Sequence, residues 1–138
     1  MELTRKAEYA IAALVELASN PSGRAVLSRD IAKRQAIPIK LVAQIISALG
    51  RAGWVRGVRG AGGGVTLTAD PARITLKEVI ELIEGPIAIN PCLVKGAYCE
   101  RQSGCPLKAV WARAQRQMLL VLEGTTIADL VNVVQKVC

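Results

Sequence analysis

Cys92, Cys99 and Cys105 share one stretch broken by proline and glycine, from Asn90-Pro91-Cys92 to Gly104-Cys105-Pro106, in a chain with no histidine. Thiolates gathered in a loop are the ligands that iron–sulfur clusters and structural zinc require, and the missing histidine removes the commonest partner ligand. Six residues separate the first pair and five the second, and no Cys-x-x-Cys knuckle is present, which weakens the zinc reading. The plain alternative is three incidental thiols, because free cysteine usually buries as a small hydrophobe. Lys95, Glu100, Arg101 and several Gly and Pro flank these three, so the loop reads as exposed, where idle thiols are oxidation hazards. A metal, cluster or redox role therefore outranks the incidental one. Cys138, outside the loop, reads as incidental.

A second constellation precedes the cysteines. Ile39, Lys40, Ala43 and Gln44 fall on the first turns of an amphipathic segment opened by Pro38. Gln can pair bidentately with adenine, Lys reaches guanine or phosphate, and Ile and Ala offer apolar contact to a thymine methyl. For any one of these side chains, an ordinary exposed helix position is an equally good account. Arg59 stands just before Gly60-Ala61-Gly62-Gly63-Gly64, where a narrow hairpin can carry a guanidinium into the minor groove of DNA while glycines admit phosphate to the backbone. This glycine run joins two strands, opens no helix and lacks the Lys-Ser/Thr of a P-loop, which argues against a nucleotide site. The candidate DNA-contacting set is Ser28, Pro38, Ile39, Lys40, Gln44, Arg51, Arg59, Gly60, Gly62 and Gly63.

The elements that must hold these residues follow from periodicity. Thr4 to about Ser19 predicts a helix capped by Thr4, with Ala7, Ile11, Leu14 and Ala18 as its apolar stripe. Asn20-Pro21-Ser22-Gly23 ends it, and Ser28 is expected to cap a short second helix. Pro38 opens a third as its first helical residue, with Leu41, Ile45, Ala48 and Leu49 inward. Residues 54–59 and 65–68 read as two strands. Three helices followed by a hairpin is the order of a winged helix-turn-helix, with the third helix in the recognition position. Ile74 to Glu84 predicts a fourth helix. Pro106 to Glu123 predicts a long one with Leu107, Val110, Trp111, Ala114, Met118, Val121 and Leu122 at helical spacing, and Thr126 is expected to cap a last helix carrying Ile127, Leu130, Val131 and Val134. The expected fold is mainly α with a small two-stranded wing: a winged helix-turn-helix head over 1–70, then a segment over 71–138 with a cluster-binding loop at about 85–105 and dimerisation helices. The apolar helix surface exceeds what a three-helix head can cover, so a homodimer on a palindromic site is expected.

The totals agree. Of the net charge of +7, residues 1–68 carry ten Lys/Arg against four Asp/Glu, and residues 69–138 carry eight against seven. The positive field belongs to the first half and points to a polyanion, most simply double-stranded DNA. Aromatics are 3% and Phe is absent, so the core is built from Ala, Val, Leu and Ile. No apolar run reaches the ~18–20 residues that span a bilayer, and the first residues lack a signal-peptide core, so a cytoplasmic protein without a membrane partner is expected. In that reducing compartment cysteines serve as ligands or reactive thiols more than as disulfides. Without a histidine base, a Cys-x-x-Cys pair or a nucleotide motif, an enzyme is not expected.

The chain resembles the winged-helix regulators typified by the iron–sulfur cluster regulator (IscR) and the nitric-oxide-sensitive repressor (NsrR). The resemblance covers essentially its whole length. It rests on Met1-Glu2-Leu3-Thr4-Arg5-Lys6-Ala7-Glu8-Tyr9-Ala10, the helix-turn-helix through Ile37 and Gln44, Val58-Arg59-Gly60-Ala61-Gly62-Gly63-Gly64, Leu76-Lys77-Glu78-Val79-Ile80 and the three cysteines. It implies a homodimeric transcriptional regulator that senses cluster status, nitric oxide or redox state through one iron–sulfur cluster per subunit on Cys92, Cys99 and Cys105. A histidine that completes the site in one branch is replaced here by Lys108. In the nitric-oxide-sensing branch a carboxylate of the other subunit completes a [4Fe–4S] cluster, and the matching residue is Glu8. Without histidine, the resemblance favours [4Fe–4S] over [2Fe–2S]. The chain departs from the family pattern at Ala43, where a glutamate is frequent, and in a longer first cysteine gap. The same fold without a cluster, acting as a thiol switch or a zinc-stabilised DNA-binding protein, is the alternative.

Overall fold

Thr4 starts the first helix, α1 (Arg5–Ser19), by accepting the Ala7 amide on its hydroxyl at 3.2 Å. Ala7, Ala10, Ile11, Ala12, Ala13, Leu14, Val15 and Leu17 are all buried, so α1 is covered on most of its circumference and not on one stripe alone. A helix apolar nearly all round is a core helix, and its alanines allow close approach from several sides. The computed structural model describes residues 2–20, 24–59, 64–94, 96 and 104–133. After α1 come α2 (Ser28–Gln35), α3 (Ile39–Arg51), the strands β1 (Val55–Val58) and β2 (Gly64–Leu67), α4 (Leu76–Glu84), α5 (Pro106–Gly124) and α6 (Ile127–Val133), with 3₁₀ turns at Pro71–Arg73 and Pro91–Leu93. α2, α3, α4, α6 and β2 all pack on α1.

Two helix starts differ from the sequence expectation. Ser28 is not the cap of α2; Leu27 holds that position in extended conformation, no side chain caps the turn, and Ser28 is the first helical residue. The cause lies upstream. Val26 and Val65 exchange backbone hydrogen bonds of 2.8 and 2.7 Å, which keeps the chain extended up to Leu27, whose carbonyl then accepts from Asp30 and Ile31. Pro38 likewise precedes α3 as its cap, at φ −55 and ψ 132, with its carbonyl accepting from Leu41 and Val42. Between them Ala36 ends α2 in the left-handed region, φ 54.

β1 and β2 form one antiparallel pair in the register Val55↔Leu67 to Val58↔Gly64. The strands are shorter than expected at Trp54, Arg59 and Thr68. Trp54 instead uses its carbonyl to bind the Thr68 and Ala69 amides at 2.8 and 3.3 Å, closing the base of the hairpin. The Val26 bridge adds a third backbone segment to β2. α4 begins at Leu76 and not at Ile74, because residues 74–76 pair with residues 125–127: Leu76 donates to Thr125 and Ile127 donates to Ile74, both at 2.9 Å. Thr75 and Glu78 then close a reciprocal capping box. Lys77 reaches Glu123 of α5 at 3.0 Å and Glu81 at 4.0 Å. The hydrogen bond to Glu123, then the nearby carboxylate of Glu81, raise the Lys77 pKa, so the ion pair holds through neutral pH.

The core is continuous across the chain. Leu14, Ile31, Ile45 and Leu49 are sealed together with Ile74, Val79 and Ile127. α5 is the exception: its described residues include none that is buried, and Leu107, Val110, Leu120 and Val121 are 50–66% exposed. Val134, expected on the last helix, lies outside the described residues.

Candidate nucleic-acid interface and cysteine segment

α3 divides cleanly into two faces. Val42, Ile45, Ala48 and Leu49 are buried against the head, whereas Ile39, Lys40, Ala43, Gln44, Ser47 and Arg51 are exposed on the opposite side. Ile39 keeps 55% of its surface in solvent. The first turn of α3 carries no acidic residue, which leaves the positive end of the helix dipole open to an anion. Arg51 donates from Nη1 to Ser47 Oγ at 3.2 Å, which holds the guanidinium alongside the helix. Ala43, Gln44, Ser47 and Arg51 line an open groove of about 430 Å³, and its other wall is Lys6 of α1. The sequence reading missed Lys6 and Ser47 in this role. Ser47 had a signal in its four-residue spacing before Arg51. Lys6 had none, because its approach to α3 comes from helix packing.

The other basic residues of the head divide by partner. Arg34 is bound to Glu16 at 2.9 Å, and Gln35 donates to the other Glu16 oxygen at 2.9 Å, pinning α2 to α1. The Glu16 hydrogen bond raises the Arg34 pKa, and this exposed cation is engaged by a carboxylate of the head itself. Arg56 and Arg59 are exposed on and just beyond β1, at the end of the hairpin. Ser28 is half-buried and Pro38 exposed at the two helix starts. Gly60, Gly62 and Gly63 lie outside the described residues. Gly64 is described, at φ 142; a Cβ there would lie 2.5 Å from the Val26 carbonyl oxygen, so glycine is required for the hairpin to close on the Val26 bridge.

The cysteine segment leaves α4 at Gly85, φ 87. Ile87 is buried, and the Ile89 amide donates to Gln115 Oε1 of α5 at 3.0 Å, so the segment is tied to α5 before its first thiol. Asn90 accepts the Cys92 amide at 3.4 Å and Pro91 opens the 3₁₀ turn, which packs on α5. Cys105 is the cap residue of α5, with Gly104 at φ 77 before it, and its side chain makes no capping bond. Both thiols are half-buried and uncrosslinked. Cys105 sits at the positive end of α5, which favours an anionic centre, and thiolates such as Cys92 and Cys105 are the donor type an iron–sulfur group takes. Cys99 lies outside the described residues. Glu8, in the first turn of α1, is paired with Arg5 at 3.5 Å, with both side chains well exposed. Among the described residues no three Cys, Asp or Glu side chains gather into a metal-binding group within one chain. None of the described helices is long and apolar enough to cross a membrane.

A recognition helix with one exposed polar face, a neighbouring basic hairpin and a long uncovered helix behind them define a winged-helix DNA-binding regulator. The family model described as Rrf2, an iron-dependent transcriptional regulator, matches residues 3–133, and the chain belongs to that family. It is 33% identical over 132 residues to the HTH-type transcriptional regulator IscR of Escherichia coli, covering 96% of this chain and 81% of the relative. Its fold is similar to that of CymR, the global cysteine regulator of Bacillus subtilis, with a TM-score of 0.82 and 28% identity over 98% of this chain and 99% of the other. It is also similar to the oxidized form of Staphylococcus aureus CymR, with a TM-score of 0.77 and 26% identity over 99% and 100% of the two chains.

Proposed function

We propose that this Rrf2-family regulator is a homodimer that binds a palindromic operator through α3 and the wing, and that an iron–sulfur cluster on Cys92, Cys99 and Cys105 sets its affinity. The observation that carries this reading is two uncrosslinked, half-buried thiols, Cys105 at the start of α5 and Cys92 in a turn packed on α5, against a helix whose apolar face is uncovered. A sensor at that point acts on the helix that would pair two subunits and so on the distance between two heads. When bound, the cluster would supply a centre whose charge and composition respond to nitric oxide, oxygen or cluster supply. Lys40 and Gln44 contact base edges or phosphate, Ile39 offers apolar contact, and Arg51 and Arg59 supply the guanidinium contacts, the latter in the minor groove. Ser28, Pro38 and the wing glycines Gly60, Gly62 and Gly63 bring backbone close to phosphate.

The partner subunit's Glu8 is the proposed fourth ligand, as the resemblance to the nitric-oxide-sensing branch implies; in its own chain the Glu8 side chain is exposed and forms a salt bridge only with Arg5 among the described residues. A carboxylate is a hard, weak ligand for iron and would leave that corner of a [4Fe–4S] cluster exchangeable. With no histidine in the chain, the resemblance to the nitric-oxide-sensing branch favours [4Fe–4S] over [2Fe–2S].

Anaerobic purification with iron, sulfide and zinc analysis and a visible spectrum tests the reading. Equal iron and sulfide with a brown chromophore is expected, and Glu8→Ala should speed cluster loss or alter the spectrum. A protein that stays colourless after anaerobic reconstitution with iron and sulfide would overturn the cluster. The likeness to an oxidized CymR then favours the second reading, a thiol switch on the same cysteines, unless zinc is found.

A further inference from the structure

The first turn of α1 touches both halves of the proposed mechanism. Glu84 is the last residue of α4, and Gly85 after it begins the cysteine segment. The Glu84 carboxylate accepts a hydrogen bond from the Thr4 backbone N–H, the residue that caps α1. The same Thr4 accepts the Ala7 amide on its hydroxyl, so the turn between them is held from both ends. Arg5 in this turn pairs with Glu8 just after it. Lys6 has no ion-pair partner among the described residues, and it walls the groove on the outer face of α3. Among the described residues no carboxylate lines that groove.

We propose that Glu84 is a positioning residue: by holding the start of α1 it sets Lys6 beside Gln44 as a phosphate contact, so that the exit of α4 into the cysteine segment tunes the grip on DNA. This rests on α3 being the DNA-reading helix. A cation one groove-width from a base-reading Gln is placed for the flanking phosphate, a contact that fixes register without reading sequence. Loss of the Thr4 bond frees the backbone of the turn, and the cost of ordering it again on binding is enough to give up the Lys6–phosphate contact. Any displacement of Gly85 by the cysteine segment acts on the neighbouring Glu84.

The test compares full-length variants on a duplex selected from a random-sequence pool by the wild-type protein, with affinity measured across a salt series. Glu84→Ala and Glu84→Gln remove the same charge, but only Gln retains an oxygen to accept the Thr4 N–H. Glu84→Asp keeps the charge and shortens the reach. Ala and Asp should bind about threefold to tenfold more weakly than Gln, the worth of one such hydrogen bond. Their dependence of log affinity on log salt should flatten by about one phosphate contact per subunit. In a Lys6→Gln background the Ala-versus-Gln difference should vanish. Equal binding by folded Ala, Asp and Gln variants would overturn the proposal, as would a weakening with unchanged salt slope or one that persists without Lys6. If Gln44→Ala and Arg59→Ala bind as wild type, the DNA face itself is misassigned and the proposal falls with it. If those two lose binding while the Glu84 variants do not differ, only the role of Glu84 is lost.

Discussion

Ala36 sits between the two helices of the DNA-reading motif at φ 54, a conformation that costs an L-residue roughly 1–2 kcal/mol and glycine almost nothing. The Ala36→Gly protein should therefore be more stable by about 1 kcal/mol after the entropy of the unfolded glycine is allowed for. Thermal unfolding would register that as a midpoint higher by about 3–5 °C, and an unchanged or lower midpoint would contradict the strain. Gly64 is the opposite case. Its missing Cβ makes room for the Val26 carbonyl, so Gly64→Ala should cost about 1–3 kcal/mol and part the hairpin from the segment before α2. DNA affinity measured well below the unfolding midpoint should also fall, because Arg59 loses its fixed base; an unaltered affinity would mean that the bridge does not position the wing. The glycine run was legible as a hairpin loop from its composition alone. What Gly64 is for was not, since the atom it avoids belongs to Val26, and no local pattern announces that approach.

Among the elements, those set by local periodicity were legible. The outer face of α3, the span of α1 and the length of α5 all follow from where apolar residues recur, as does the inner face of α3 except that Val42 is buried where Leu41, only half-buried, was expected. Their starts were less so. Ser28 and Pro38 have the chemistry of a cap and of a first helical residue, yet the Val26–Val65 bridge and the tight turn at Ala36 shift the helical register by one residue at each. The same holds for α4, whose expected first residues are taken up by pairing with residues 125–127. α5 was legible in its spacing but reads differently in the fold: Trp111, Met118 and Leu122 are half-buried, while Leu107, Val110, Leu120 and Val121 face solvent. Large apolar side chains left uncovered along one helix mark an association surface. Val121, 66% exposed, has little to lose within one subunit. Val121→Glu should therefore leave the thermal transition of the head nearly unchanged while shifting sedimentation toward monomer. A variant that sediments as wild type would move the subunit interface elsewhere.

For the whole molecule, charge and core follow different boundaries. The positive field is confined to residues 1–68, and that asymmetry could be read directly from the sequence. The hydrophobic core ignores it. α1 belongs to the DNA-binding half, yet it packs on α4 and α6, and Ile74, Val79, Ile80, Ile87 and Ile127 close the same core as Leu14 and Ile45. At about 1.5–3 kcal/mol for each buried Ile or Val, removing those five side chains forfeits on the order of 10 kcal/mol. That is comparable with the ~5–15 kcal/mol that holds a domain of this kind together. A fragment ending at Asp70 retains every proposed DNA-contacting residue, so on charge and contacts alone it should bind DNA. On the core argument it should lack a cooperative thermal transition and bind the selected duplex no better than an unrelated one. Circular dichroism melting and a salt-dependent binding series on the fragment separate the two expectations. A cooperative melt with retained preference would mean that the head is autonomous and that a signal must cross a linker. Failure of the fragment would mean that the cysteine segment and the recognition helix share one packed core, through which a shift at α4 reaches α1 without any linker to transmit it.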